Sequence, residues 1–105
     1  MFKNMGDIMK QAQQMQSKMQ ALREELGNHE VEGSAGGGMV VVVLNGRSEP
    51  LRVRVDPKAA ADVEMLEDLL LAAFRDAQQK VQELVKKEMG NMAGPIAGAL
   101  GIPGL

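Results

Sequence analysis

Three glycines, Gly36-Gly37-Gly38, lead through Met39 into four consecutive valines, Val40 to Val43, and then Leu44 and the dipeptide Asn45-Gly46. A run of β-branched side chains is stiff at χ1 and suits a pleated strand far better than a helix. Met39 to Leu44 is therefore the strongest strand of the chain. His29 to Glu32 reads as a short strand before it, with Gly33 to Gly38 as the loop between them. Asn45-Gly46 reads as a two-residue hairpin turn, because both residues tolerate positive φ. Arg47 to Val55 is then the returning strand. Pro50 cannot donate a ladder hydrogen bond, which predicts an edge position or a bulge near it. Leu51, Val53 and Val55 alternate with Arg52 and Arg54, placing apolar groups on one face and guanidinium groups on the other.

Long helical patterns lie on both sides of this small sheet. Met5, Ile8, Ala12, Met15, Met19, Leu22 and Leu26 recur in alternating steps of three and four, a heptad seam. Asn4 followed by Asp7 resembles a capping arrangement, and Gly27-Asn28 is a stop signal. The helix predicted between them spans about 35 Å, more than a small core needs along one side. Asp56-Pro57 opens the second helical segment with a capping residue and a first-turn proline. Asp62 can cap afresh after a break. Val63, Leu66, Leu70, Phe74, Ala77, Val81, Leu84 and Val85 then form one apolar stripe, and Gly90 marks the expected end. Residues 1–90 thus read as a single α+β domain: long N-terminal helix, small three-stranded antiparallel sheet, long C-terminal helix. Residues 91–105 carry no charge, four glycines and two prolines, and read as a flexible tail open to a protein partner.

The chain has 105 residues, nine of them Met and only two aromatic, Phe2 and Phe74. Such a chain is short of large apolar anchors, and association with a second copy is the expected remedy. No cysteine is present, which removes disulfide and thiolate chemistry and suits a reducing compartment. The apolar run from Ala93 to Leu105 is too short and too broken to span a bilayer, so a cytoplasmic protein is expected.

Chemistry finds little support. The triple glycine precedes a strand and lacks a following Lys-Ser or Lys-Thr, the reverse of a phosphate loop. His29 is the only histidine and lies at a helix-to-strand junction. Asp62, Glu64, Glu67 and Asp68 are ordinary partners for a helix N-terminus. Neither an enzyme nor a cofactor is expected.

The basic residues carry more. The formal charge is −2, from 12 basic against 14 acidic groups, which opposes non-specific attraction to phosphates over the whole molecule. Locally the balance differs. Lys3, Lys10 and Lys18 share an arc of the first helix away from its apolar seam, and Arg47, Arg52 and Arg54 lie in the sheet region. Lys86 and Lys87 add a weaker group near the end of the second helix. Glu30, Glu32 and Glu49 are the expected cross-strand partners that could occupy the arginines instead.

The ordered series Met9-Lys10-Gln11-Ala12-Gln13-Gln14-Met15-Gln16, Val31-Glu32-Gly33, Gly36-Gly37-Gly38 with the valine run, Asn45-Gly46, Val53-Arg54-Val55-Asp56-Pro57, and Glu64 to Ala77 resembles the bacterial YbaB/EbfC family of small nucleoid-associated proteins. The resemblance implies a tweezer-like homodimer, with a shared sheet region joining projecting helices. It also implies binding of double-stranded DNA in the cytoplasmic nucleoid, altered DNA conformation, and effects on nucleoid organisation and gene expression. It brings no catalytic residue. The DNA-contact candidates are Lys3, Lys10, Lys18, Arg52, Arg54, Lys86 and Lys87. The competing reading is a protein-interaction or scaffold module built on the Met-rich helical seam.

Overall fold

The structure, a computed structural model, describes the backbone of residues 2–100 and the side chains of residues 5–91. The chain runs α1 (Phe2–Asn28), β1 (Glu30–Ala35), β2 (Val40–Asn45), β3 (Pro50–Val55), a short α2 (Pro57–Ala60) and α3 (Val63–Leu100). The strands form one antiparallel sheet in the order β1-β2-β3, within an elongated body measuring 70 × 25 × 16 Å.

The inner face of the sheet rests on α3. Val40, Val42 and Leu44 of β2 are buried with Ala73, Ala77 and Val81 of α3 and with Ala59 of α2. Small residues let the layers approach. A Cβ added at Gly33 would run into the Ala73 carbonyl oxygen, the Ala77 backbone nitrogen and the Ala77 side chain. Glycine at 33 is therefore a packing requirement, and β1 continues through the segment expected as loop as far as Ala35.

The loop proper is confined to residues 36–39. Gly36, Gly37 and Gly38 take φ of 64°, 66° and 95°, a region where a Cβ is strained, which is the physical reason for three glycines in succession. Only at Gly36 is there also a close neighbour, the Leu69 side chain.

The β2–β3 connection differs from the expected two-residue turn. Asn45 is the last residue of β2, and Ser48 N–H donates to the Asn45 carbonyl at 2.9 Å while Asn45 N–H donates to the Glu49 carbonyl at 3.0 Å. Gly46, Arg47 and Ser48 make a three-residue loop, with the left-handed φ of 64° falling on Ser48. The Asn45 side chain holds it. Its Oδ1 accepts from Arg47 N–H at 2.9 Å and Glu49 N–H at 3.0 Å, and its Nδ2 donates to Glu49 Oε1 at 2.8 Å. Asn45 is 4% exposed, so Asn45→Ala leaves two backbone donors without their buried acceptor. A loss of about 2–3 kcal/mol in unfolding free energy is expected from urea titration.

Gly46 also receives the end of α1. Its N–H donates to the Leu26 carbonyl at 2.8 Å, and a Cβ there would lie 2.5 Å from that oxygen. α1 stops at Asn28 as expected but begins by Phe2, ahead of the Asn4–Asp7 cap. The Asn4 side chain lies outside the described residues.

Pro50 lies on the edge strand β3, where its missing N–H is tolerated. The register passes from Val43↔Arg52 to Leu44↔Pro50, making Leu51 the extra residue of a bulge. Asp56 caps α2, its Oδ1 accepting from Lys58 N–H at 2.8 Å, and Asp62 recaps the chain at α3 by accepting from Met65 N–H at 3.2 Å. Gly90 does not end α3, which continues to Leu100. A glycine inside a long helix costs only about 1 kcal/mol relative to alanine, so it does not by itself end one. Residues 91–100, expected as part of a flexible tail, are thus helical, and residues 101–105 lie outside the described residues.

Candidate nucleic-acid interface

α1 leaves the sheet end and carries exposed cations, among them Lys10 and Lys18. Of its apolar seam only Leu22 and Leu26 are buried; Met5, Ile8, Met15 and Met19 are 63%, 62%, 45% and 41% exposed. On another side of the helix Lys10, Gln13, Gln14, Ser17 and Lys18 line one open stretch. Lys10, Gln14 and Lys18 follow at intervals of four, so the two ammonium groups stand in one row about 12 Å apart along the axis. Neither lysine is in an ion pair among the described residues. The Lys3 side chain lies outside them. A row of two lysines and an amide can meet successive phosphates without reading a base.

The outer face of the sheet holds the arginines. Directly opposed residues give the rows Ser34–Val41–Arg54 and Glu32–Val43–Arg52. Val41 and Val43, in the middle of these rows, are buried. Arg52 reaches across to Glu30, with Nη2 at 2.8 Å from Oε2, and so is occupied by one of its expected partners. That contact holds the Glu30 carboxyl below its ordinary range, first through the hydrogen bond and then through the charge of Arg52. Arg54 has no ion pair among the described residues. Arg47 pairs with Glu49 at 3.1 Å, while Lys86 and Lys87 are exposed on α3, Lys86 facing the β2–β3 loop. The candidates therefore occupy three places: α1, the outer sheet face and the later part of α3.

An additional polar contact had only a weak sequence signal, an Asp and a Lys four apart. Asp76 Oδ2 accepts from Ser34 N–H at 3.0 Å, Lys80 Nζ donates to the Glu32 carbonyl at 2.7 Å, and the two side chains pair at 3.4 Å. The Ser34 N–H, ahead of Lys80, holds the Asp76 carboxyl below its usual value. Glu49 is lowered likewise, chiefly by the Asn45 amide and then by Arg47. Carboxyls with depressed folded values stabilise fully above the ordinary range near pH 4 and lose that contribution as pH falls through the lowered values. The part of the stability that these carboxyls supply should therefore be flat near neutrality and fall in acid. Asp76→Asn should flatten that acid limb in thermal melts recorded across pH.

Other chemistry has no geometry to support it. No group of three or more His, Cys, Asp or Glu side chains suited to a metal occurs among the described residues, and Asp62 serves as a helix cap. His29 stands 3.8 Å from Glu25 at the end of α1. No helix among the described residues is long and apolar enough to cross a membrane.

Residues 1–96 match the YbaB/EbfC DNA-binding family. The chain belongs to that family. Among its relatives, a nucleoid-associated protein of Pelotomaculum thermopropionicum is 49% identical over 104 residues, covering 97% of this chain and 95% of the relative. One from Xylella fastidiosa is 51% identical over 88 residues, covering 84% and 82%. The crystal structure of an uncharacterized Helicobacter pylori protein superposes with a TM-score of 0.75 at 27% identity, covering 81% of this chain and 91% of that one. That likeness extends to the three-stranded antiparallel sheet between N- and C-terminal helices. YbaB/EbfC proteins are DNA-binding and non-enzymatic, so the exposed cations of α1, β3 and α3 are the features whose chemistry fits the family.

Proposed function

We infer that the chain is one protomer of a homodimer that binds double-stranded DNA through its phosphates in the bacterial nucleoid and alters the conformation of the duplex, with consequences for nucleoid organisation and gene expression. The observation that carries this is the surface of α1: an apolar seam left exposed, and beside it Lys10 and Lys18, which have no ion pair among the described residues. A second copy covers apolar surface that one short chain leaves open, and it doubles each cationic row. Two rows held by one rigid body can engage a duplex at separated places and bend or bridge it. The overall charge of −2 is no obstacle when the cations are grouped, because the field near the surface follows local charge. Lys10, Lys18 and Arg54 are the leading contacts, Lys86 and Lys87 secondary ones. Arg52 contributes once its bond to Glu30 is exchanged for phosphate, and Lys3 is retained from the sequence.

The exposed methionines Met5, Met9, Met15 and Met19 favour one other reading, a scaffold that docks protein segments on its flexible apolar side, with residues 91–105 as a further contact. Sedimentation velocity separates the two. The DNA-binding reading expects a dimer alone and a single heavier boundary when a short duplex is added. A monomer that leaves the duplex sedimenting alone contradicts it.

A further inference from the structure

The two edges of the sheet are unlike. At β1, α3 takes the place of a neighbouring strand: Asp76 accepts from Ser34 N–H and Lys80 donates to the Glu32 carbonyl. An edge whose backbone groups are occupied in this way offers little to another chain. β3 receives no such side-chain cover among the described residues. α3 packs over β1 and β2, and Leu51 and Val53 of β3 stay 44% and 50% exposed. Val53 shares the inner face with the buried Val42 opposite it, so the apolar layer stops abruptly at the open edge.

We propose that β3 pairs antiparallel with β3 of a second copy, and that the continuous sheet so formed carries on its outer face a phosphate-binding patch, made by Arg52 and Arg54 of both protomers, which neither copy possesses alone. This rests on the homodimeric DNA-binding reading above and gives it a site. Two identical strands pairing antiparallel within one sheet are related by a two-fold axis perpendicular to it, so the outer face of one protomer continues as the outer face of the other. The arginine-bearing strands become the central pair, about 4.8 Å apart. The β1 strands, with Glu30 and Glu32, become the flanks. The exposed Leu51 and Val53 gain apolar cover at the same seam.

The charges explain what such a patch holds. Arg52 is tied to Glu30, whereas Arg54 stands opposite Val41 with no acidic partner among the described residues. Bringing two Arg54 side chains onto neighbouring strands places like charges together, which opposes association in water. Phosphates of a duplex backbone remove that repulsion and accept from the guanidinium forks. DNA binding and strand pairing are therefore coupled, and by reciprocity each strengthens the other.

The chain has no cysteine, so single-cysteine variants of the full chain report one position each. With a short bis-maleimide, Val53→Cys is expected to give a covalent dimer and Ser34→Cys, on the covered edge, to remain uncrosslinked. Cross-linking through Ser34 but not Val53 overturns the strand pairing. Arg54→Gln is expected to keep wild-type helix content, to dimerise at least as tightly as wild type because the Arg54 repulsion is gone, to weaken unrelated duplexes roughly tenfold, and to reduce the salt slope by about 2, one charge lost per protomer. Arg54→Lys should restore the slope. If Arg54→Gln binds duplex like wild type in a dimer that cross-links through Val53, the patch is wrong and the DNA-binding reading stands. A wild-type dimer that binds no duplex removes the reading beneath it.

Discussion

Gly33→Val is expected to abolish the native fold at room temperature, seen as loss of the cooperative thermal transition in circular dichroism. The position lies in β1 against α3, where even one added carbon meets the Ala73 carbonyl oxygen and the Ala77 backbone. Backbone atoms cannot rotate away as a side chain can. Relief requires the strand to lift from the helix, and Ala73 and Ala77, both fully buried, would lose their contacts along with Val42 beside them. Lifting the strand also separates Ser34 from Asp76 and Glu32 from Lys80. Overpacking alone costs about 1–3 kcal/mol, and with the lost packing the total exceeds roughly 4 kcal/mol, comparable to the whole stability of a domain at the lower end of the usual range of about 5–15 kcal/mol. Gly37→Val, where nothing lies within 4 Å of the added carbon, carries only the strain of a φ of 66° and should be milder. Equal stability of the two variants would show that β1 and α3 do not approach this closely.

Lys10→Glu combined with Lys18→Glu is expected to have the largest effect on DNA. Both side chains are exposed on α1 and have no ion pair among the described residues, and glutamate has a helix propensity close to that of lysine, so helix content and dimerisation should hardly change. The binding surface changes sign. Four phosphate contacts per dimer would be lost and four repulsions gained, lowering affinity for unrelated duplexes by roughly a hundredfold or more at low salt and the magnitude of the salt slope by about 3 to 4. Similar losses on different sequences identify phosphate contacts; loss confined to one sequence would point to base readout. Wild-type affinity would reduce this lysine row to solvated surface.

Much of the architecture is legible where a residue type has one local use. Pro50 indicated the edge strand and bulge, Asp56-Pro57 and Asp62 the two helix starts, and the heptad spacing the long α1. Other features depend on what the chain brings from afar. Gly33 looked like loop glycine because its requirement comes from Ala73 and Ala77, forty or more residues later. Asn45 looked like a turn residue with positive φ, whereas its buried amide holds a longer loop and Ser48 takes the left-handed position. Gly90 carried a stop signal that the helix passes through. For the interface, the cations and the acidic groups able to pair with them were visible, but not which pairs form. The composition of β1 and β3 allowed Arg52 to meet Glu30, yet only the assembled register distinguishes the occupied Arg52 from Arg54, and only α3 packing reveals that Asp76 and Lys80 cover one edge and leave the other open.

The central claim is that a homodimer holds duplex DNA by its phosphates. Titrating the wild-type protein against two duplexes of unrelated sequence at several salt concentrations tests it most directly. The expected result is a linear fall of log Kobs with log salt concentration, steep and of nearly the same slope for both duplexes, as counterion release requires. An affinity unchanged by salt would contradict the account.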